Sequence, residues 1–441
     1  MKFITTAIIF LLLTVSVFAQ KTDEALAVAA TNKTFTAANL DKNVREAWLN
    51  LPATIAGAKK QFLENQIKNS LLETEAKARK ITLDELYKTE VKNKVAAPTQ
   101  EQIKQIYELN KSALDNKSLE EVRPQIADFL RRKPEGEIFD KFIASLKAKY
   151  KITSGKDVTA ANLKPSDILA TVGTRQITFE EFEKQFRPNL YEIEMTIFEA
   201  VEENLKDSIQ AELLETEAAE RQISSGDIIA REVTDKMKDF SDEERDFLSN
   251  ALRKRLFTKY KAKILIKEPA PFVQNISIAD EPSKGTTNAP VTIVMFTDFQ
   301  CSACAATYPV LKRVIAEYGD KIHFVVRDFP IVSIHENAFQ AALAANVANR
   351  QGKFFQYKEL LYNNQNALDA ESLKKYATEL GLDLKKFEAD MKDEKLAAEI
   401  RQDMADGEKY GVGGTPTIFV NGVKVITLSA RSFRKAIERN L

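Results

Sequence analysis

Phe296-Thr-Asp-Phe-Gln-Cys-Ser-Ala-Cys304 is the stretch whose reading decides the fold of the C-terminal half. It closes an apolar run, Val291 to Phe296, of the kind that forms a buried strand. Beyond it, Tyr308, Leu311, Val314, Ile315 and Tyr318 recur at helical spacing. Cys301 is therefore expected where a strand ends and a helix begins, with Cys304 one turn inside. Unpaired N–H groups and aligned peptide dipoles at a helix N-terminus favour negative charge. A thiolate carries such a charge and is the form of cysteine that attacks disulfides. The second cysteine can close back onto the first, which points to thiol–disulfide chemistry.

Working outward, Ile322 to Arg327 reads as the next strand and stops at Asp328-Phe-Pro330. A helical block follows from His335 to about Tyr410, broken at Gly352 and Gly381. Pro416-Thr-Ile-Phe-Val420, the turn Asn421-Gly422 and Val423-Lys-Val-Ile426 read as a hairpin with a two-residue turn. Ser429 can cap a closing helix towards Leu441. On the other side, Asp280 to Pro290 reads as a polar lead-in loop.

The order β-α-β, helical insertion, β-β-α, with Cys-x-x-Cys after the first core strand, resembles the thioredoxin fold, and the insertion makes it resemble the DsbA family. Phe296-Thr-Asp-Phe-Gln300, Pro309, Gln351-Gly-Lys-Phe354 and Gly411-Val-Gly-Gly-Thr-Pro-Thr417 carry the resemblance, which covers about Ile276 to Leu441. It implies a protein thiol:disulfide oxidoreductase with Cys301 as attacking thiol and Cys304 as resolving thiol. Thr415-Pro416 would face them, with Pro416 cis and the Thr415 backbone turned to an incoming peptide. Read without the family, Pro416 is an ordinary strand-start proline. Folding exported polypeptides as clients and a membrane redox partner are implied with it. No cofactor is implied.

The dipeptide departs from the enteric DsbA pattern, because Ser302 and Ala303 bring no charge where the strongest oxidants carry a histidine. A helix terminus contributes ~0.3–2 kcal/mol, and a tenfold change in ionisation is ~1.4 kcal/mol. That lowers a thiol from about 8.5 to roughly 7, and N–H bonds from Ala303 and Cys304 would lower it further. A moderate reduction potential is expected. Asp298 has two readings, a base that handles the thiol protons or an Asx turn before the helix. His323 and His335 could join the cysteines only in a zinc site of unusual spacing, so no metal is expected.

The preceding part is helix-rich and repeated. Leu71-Leu-Glu-Thr-Glu-Ala76 returns as Leu213-Leu-Glu-Thr-Glu-Ala218. The same offset aligns Thr36 with Thr178, Leu40 with Phe182, Ile55 with Ile197, Leu63 with Leu205, Ile67 with Ile209, Ile81 with Ile223 and Val91 with Val233. Each copy opens on an extended element, Leu26 to Phe35 or Ile168 to Ile177, followed by a long helix from Ile55 or Ile197. Ile168-Leu-Ala-Thr-Val-Gly-Thr-Arg-Gln-Ile-Thr-Phe-Glu-Glu-Phe182 resembles the chaperone domain of SurA and parvulin-type foldases, which implies a surface that cradles unfolded chains. An amphipathic helix buries an apolar face whatever its task, and a dimerisation arm fits the pattern as well. Trp48, the only tryptophan, is expected in a core.

The 441 residues allow two or three domains. Lys plus Arg and Asp plus Glu both number 64 and are interleaved, so no nucleic-acid surface or polybasic patch is expected. Met1-Lys2 followed by the apolar Phe3 to Phe18 and by Ala19 reads as a secretory signal, hence a periplasmic or otherwise extracytoplasmic protein. Both cysteines lie in the one motif, and so short a loop makes a poor structural staple. The expected fold class is α+β multidomain: a signal at 1–19, helical repeats at 20–155 and 156–271, and an α/β thioredoxin domain with a helical insertion at 272–441. The competing functions are a holdase chaperone or a disulfide isomerase in which the cysteine pair is secondary.

Overall fold

The computed structural model describes residues 24–29, 33–111 and 118–441, so the expected signal lies outside the described residues. Strands β1 (Ala27–Val28) and β2 (Thr34–Phe35) lead into α1 (Lys42–Arg79), α2 (Leu83–Glu90), α3 (Gln100–Asn110), α4 (Leu119–Lys149) and β3 (Ile152–Ser154). The second copy runs β4 (Ile168–Val172), β5 (Arg175–Thr178), α5 (Phe179–Arg221), α6 (Ser225–Glu232), α7 (Asp242–Lys259) and β6 (Lys263–Ile264). Thr82 and Ser224, equivalent in the repeat, each cap the next helix with a reciprocal capping box. The long helices begin earlier than Ile55 and Ile197, at Lys42 and Phe179. Pro52 and Pro188 lie inside them.

The described residues fold into two compact units, one of those up to Pro52 with Arg187–Leu441 and one of those within Ala53–Phe186. Each unit draws on both repeats. In the first, the β1–β2 hairpin pairs with β6; in the second, the β4–β5 hairpin pairs with β3. The hairpin that opens each copy thus completes its sheet with the strand that follows the other copy's helices. Leu26, Phe35, Leu40 and Trp48 pack with Val201, Leu205, Ile209, Leu213 and Leu256 in the first unit. Leu71, Leu86, Phe142, Leu146 and Val172 form the corresponding core of the second. Each such side chain contributes roughly 1.5–3 kcal/mol on burial.

A buried glutamate sits at the same repeat position in each core. Glu75 accepts hydrogen bonds from Arg79 Nε (2.6 Å), Lys149 Nζ (2.6 Å) and the Tyr150 hydroxyl (2.7 Å). Glu217 accepts from Arg255 Nη1 (2.8 Å) and Arg221 Nη1 (3.1 Å). Burial alone would raise both carboxyls, yet the donors prevail: Glu75 is lowered to about 2, and Glu217 also lies below its ordinary value. A lowered acid contributes stability above the unfolded carboxylate range and loses it as pH falls through the folded value. Glu217→Gln should therefore cost about 1.5–3 kcal/mol at neutral pH, with the difference shrinking below about pH 4.3. Denaturant titration followed by the fluorescence of Trp48, which shares that core, is the check. An unchanged midpoint at pH 7 would remove the glutamate's structural role.

The C-terminal part of the first unit runs β7 (Ser283–Gly285), β8 (Val291–Thr297), α8 (Ser302–Tyr318), β9 (Ile322–Asp328), α9 (Ala338–Asn349), α10 (Phe354–Asn363), α11 (Ala370–Glu379), α12 (Leu384–Asp390), α13 (Glu394–Lys409), β10 (Thr417–Val420), β11 (Val423–Lys424) and α14 (Ala430–Glu438). The sheet order is β11-β10-β8-β9-β7, with β8 parallel to β9 and antiparallel to β10. The β8 run is apolar because both faces are covered. Ile293, Met295, Phe324 and Val326 face one cluster, while Val294, Phe296, Val325 and Phe419 face another. Asn421 (φ 44°) and Gly422 (φ 78°) make the hairpin turn, both in the left-handed region that such turns require. The expected lead-in loop is corrected in one place: Ser283–Gly285 is an edge strand antiparallel to β9. Its three residues are exposed and polar, so it carries no periodic signal. Gly285 (φ 96°) allows the approach, since a Cβ there would stand 2.2 Å from the Ile322 carbonyl oxygen.

Candidate redox site at the N-terminus of α8

β8 delivers the chain to the mouth of α8, and the turn Asp298–Cys301 reverses it. Cys301 is the N-cap residue, extended at φ −75° and ψ 117°. Its carbonyl accepts from the N–H groups of Cys304 (3.1 Å) and Ala305 (3.2 Å), which starts the helix. Cys301 is half-buried and Cys304 is fully buried; both are free thiols. Opposite stands the loop before β10. The Thr415–Pro416 peptide is cis, and the Cys301 thiol donates to the Thr415 carbonyl at 3.3 Å. Register explains the meeting, because Thr417 pairs with Phe296 across β10 and β8. Cys301, Cys304, Thr415 and Pro416 are therefore brought together from two segments far apart in the chain.

The electrostatics differ from the sequence-based expectation of roughly 7. The Cys304 thiol donates to Cys301, and this outweighs burial, which acts the other way. The Thr415 hydroxyl and the N–H groups of Cys304 and Ala303 add to it, so Cys301 is lowered to about 5. Thr415 Oγ1 is otherwise buried without a hydrogen-bond partner. Cys304 moves in the opposite direction: burial and its bond to Cys301 raise it far above the ordinary thiol range, against donation from the Asp298 N–H and the Thr297 hydroxyl. One sulfur is held ready as a thiolate and the other is kept protonated behind it.

Asp298 lies under the turn, fully buried, with its oxygens already engaged. Oδ1 accepts from the Gln300 N–H (2.7 Å), an Asx turn. Oδ2 accepts from the Ile331 N–H (2.8 Å) and lies 2.8 Å from His335 Nδ1. The carboxylate ties the cysteine turn to the loop after β9, where Val332 and Ile334 are 54 % and 66 % exposed. Sequence reasoning treated His335 only as a candidate metal ligand. It missed Gln365 altogether, whose side-chain amide donates to the carbonyls of Phe299 (3.0 Å) and Cys301 (2.8 Å). Gln365 sits just beyond α10, and no local pattern announces a contact across so many residues.

A groove opens on the far side of Pro416. Its volume is about 770 Å³, within the ~300–1,000 Å³ common for ligand sites. Gly413, Gly414 and Pro416 form one end, Val425, Ile426 and Leu428 the floor, and Ile193 and Ile197 of α5 the wall. Lys424 Nζ bonds Glu192 Oε2 across it at 2.6 Å. A groove of mixed character, with Asn189, Glu192, Thr196 and Lys424 among its apolar residues, thus begins at the residue that faces the reactive sulfur.

Residues 278–439 match the family model described as Thioredoxin. Among curated relatives, the chain is 37 % identical over 139 residues to the Na(+)/H(+) antiporter NhaA 3 of Salinispora tropica, covering 32 % of this chain and 21 % of that protein. It is 33 % identical over 143 residues to the Na(+)/H(+) antiporter NhaA 1 of Mycolicibacterium vanbaalenii, covering 32 % and 23 %. The chain therefore spans less than a quarter of the length of these relatives. Among solved structures, a thioredoxin-like oxidoreductase from Silicibacter pomeroyi is 27 % identical, covering 36 % of this chain and 92 % of that one, with a TM-score of 0.34. The thiol-disulfide exchange protein alpha-DsbA2 from Wolbachia pipientis is 26 % identical, covering 37 % and 89 %, with a TM-score of 0.33. BdbD from Bacillus subtilis is 21 % identical, covering 39 % and 98 %, with a TM-score of 0.34.

Proposed function

We propose, from the premise that the C-terminal part of this chain is a DsbA-like thioredoxin-fold domain, that the protein is an extracytoplasmic thiol:disulfide oxidoreductase acting on folding polypeptides. The observation that carries this reading is the half-buried Cys301 thiol, 3.3 Å from the Thr415 carbonyl at the cis proline, with Cys304 buried behind it. The Cys301 thiolate attacks a client disulfide, or the oxidised pair accepts a client thiolate, through one mixed disulfide that Cys304 resolves. A client held at Cys301 runs past Thr415 and Pro416, where an extended backbone can pair and its side chains enter the groove. The exposed Val332 and Ile334 beside the turn support an apolar, unfolded client. Exposed Ile229, Phe240 and Phe247 in the helical part support a second holding surface or a dimer contact. A membrane redox partner would recharge or reduce the pair, and the leader-like opening of the sequence supports export.

Catalysed insulin reduction and catalysed oxidation of a reduced, unfolded ribonuclease test the reading; a rate no higher than that of the buffer thiols in both assays would refute it. The groove adds a sharper expectation. Ile193→Asp should lower kcat/KM for the unfolded client by about tenfold, the loss of ~1–2 kcal/mol typical of an apolar anchor. Glutathione disulfide is too small to reach that wall and should react at the unaltered rate. Equal losses for both substrates would place the client elsewhere.

A further inference from the structure

α10 carries Lys358 into the core beneath the cysteine turn. The side chain is 0 % exposed, and its Nζ has no hydrogen-bond partner. A buried amine without partners lowers stability, so a role that keeps it there is called for. Its surroundings are aromatic: Nζ stands 3.2 Å from the Tyr308 ring centroid, 5.0 Å from Phe324, 5.4 Å from Phe355 and 5.7 Å from Tyr362. Tyr308 follows Cys304 by one turn of α8, and Cys304, Tyr308 and Tyr362 belong to one cluster. The Tyr362 hydroxyl shares a 2.5 Å hydrogen bond with Thr297 Oγ1, and the Thr297 hydroxyl meets the Cys304 thiol. The rings that house the amine therefore also close over the resolving sulfur.

We propose that Lys358 is a positioning residue for the resolving thiol, taking up from inside the core the proton that Cys304 loses when it resolves the mixed disulfide. This rests on the redox reading given above. In that step the Cys304 S–H bond breaks and its proton passes by way of the Thr297 and Tyr362 hydroxyls to the Lys358 amine, whose flexible stem swings to meet it. The Cys304 sulfur then bonds to Cys301, and the bond from Cys301 to the client sulfur breaks. The electron pair leaves with the client sulfur as thiolate: the cysteine pair is oxidised, the client is reduced, and the ammonium later returns its proton to solvent. Burial keeps the amine neutral and Cys304 protonated until the step, so a base and a proton are both in place; the same burial opposes the transfer itself, and capture of Cys301 in the mixed disulfide removes the thiolate that helps hold the Cys304 proton. The other charged groups around the amine are Glu359, Lys312 and Lys284, and Asp328 lies towards Tyr362. Glu359 and Lys312 pair with each other at 2.5 Å, and Cys304 is the thiol whose charge reaches the amine in the core.

The test uses the full chain, with glutathione disulfide as probe in rapid mixing. It separates formation of the Cys301–glutathione mixed disulfide from its resolution, each followed across pH. Lys358→Met should slow resolution at neutral pH by about tenfold or more, the lower part of the range for a lost proton acceptor. The deficit should shrink as pH rises and hydroxide competes as the base, and the Tm should not fall. Tyr362→Phe, which keeps the ring and cuts the link to Thr297, should slow the same step. A resolution rate and pH profile unchanged in both variants would overturn the proposal and leave Lys358 a packing residue. Failure of the unaltered protein to form any mixed disulfide would instead defeat the redox reading beneath it.

Discussion

Cys304→Ser should turn the protein into a trap that accumulates mixed disulfides with its clients, while Cys301→Ser brings both redox assays down to background. The asymmetry follows from burial. Cys301 is half-buried and faces the Thr415 carbonyl, whereas Cys304 is fully covered and Cys301 is the sulfur it bonds. Without Cys301 no external sulfur can be attacked, so the loss is complete. Without Cys304 the first exchange proceeds and the second cannot, because a serine hydroxyl is no substitute for a thiolate in disulfide exchange. Non-reducing gels followed by identification of the attached chains read the outcome. If Cys304→Ser yields no adducts while Cys301→Ser does, the two roles are reversed. If neither does, the helical part is the functional half and the protein is a holdase.

The second large effect concerns ionisation. Alkylation of the reduced protein should follow a single thiolate with a midpoint at about 5, far below the ~8.5 of a free cysteine. Cys304 should stay unreacted in the folded state because it is buried and held protonated. The sign of the linked stability follows. Cys301 is lowered on folding, so its contribution is complete above about pH 8.5 and is lost as pH falls towards 5. At pH 7 it amounts to at most about 2–3 kcal/mol, two tenfold steps, before solvent screening. The reduced form should thus gain Tm over the oxidised form as pH rises from 5 to about 8.5. A midpoint near 8.5 would mean that the donors around Cys301 do not act.

What the sequence disclosed is what local pattern encodes. The apolar run of β8, the Asn421-Gly422 turn and the spacing of Cys301 and Cys304 are contiguous signals, and each was legible. The repeat was legible too, down to the equivalent glutamates of its two matching hexamers. The exchange of hairpins between repeats was not, because β1 with β6 and β4 with β3 are long-range pairings between very short strands. β7 escaped because an exposed three-residue edge has no periodicity. At the site, roughly 7 for Cys301 was what a helix terminus alone supplies. The further drop comes from Cys304 and Thr415, which only the folded chain brings to the sulfur. Lys358, Gln365 and His335 were hidden for the same reason: each lies in the helical insertion or its lead-in, and its partners are distant in the chain, the β8–α8 turn for Gln365 and His335 and the Tyr308 ring for Lys358.

The most direct test of the central claim is the reduction potential of the Cys301–Cys304 pair, measured by equilibrating the full chain with glutathione buffers. Thioredoxin, with a thiol near ~7, lies at about −270 mV, and the extreme oxidant, near ~3.5, at about −120 mV. A thiolate stabilised to about 5 favours the reduced pair by one to two tenfold steps over thioredoxin, each worth about 30 mV. The expected value is therefore roughly −210 to −240 mV. A potential at or below about −270 mV would contradict a stabilised Cys301 thiolate, and one as high as about −120 mV would contradict the uncharged Ser302–Ala303 pair as its setting.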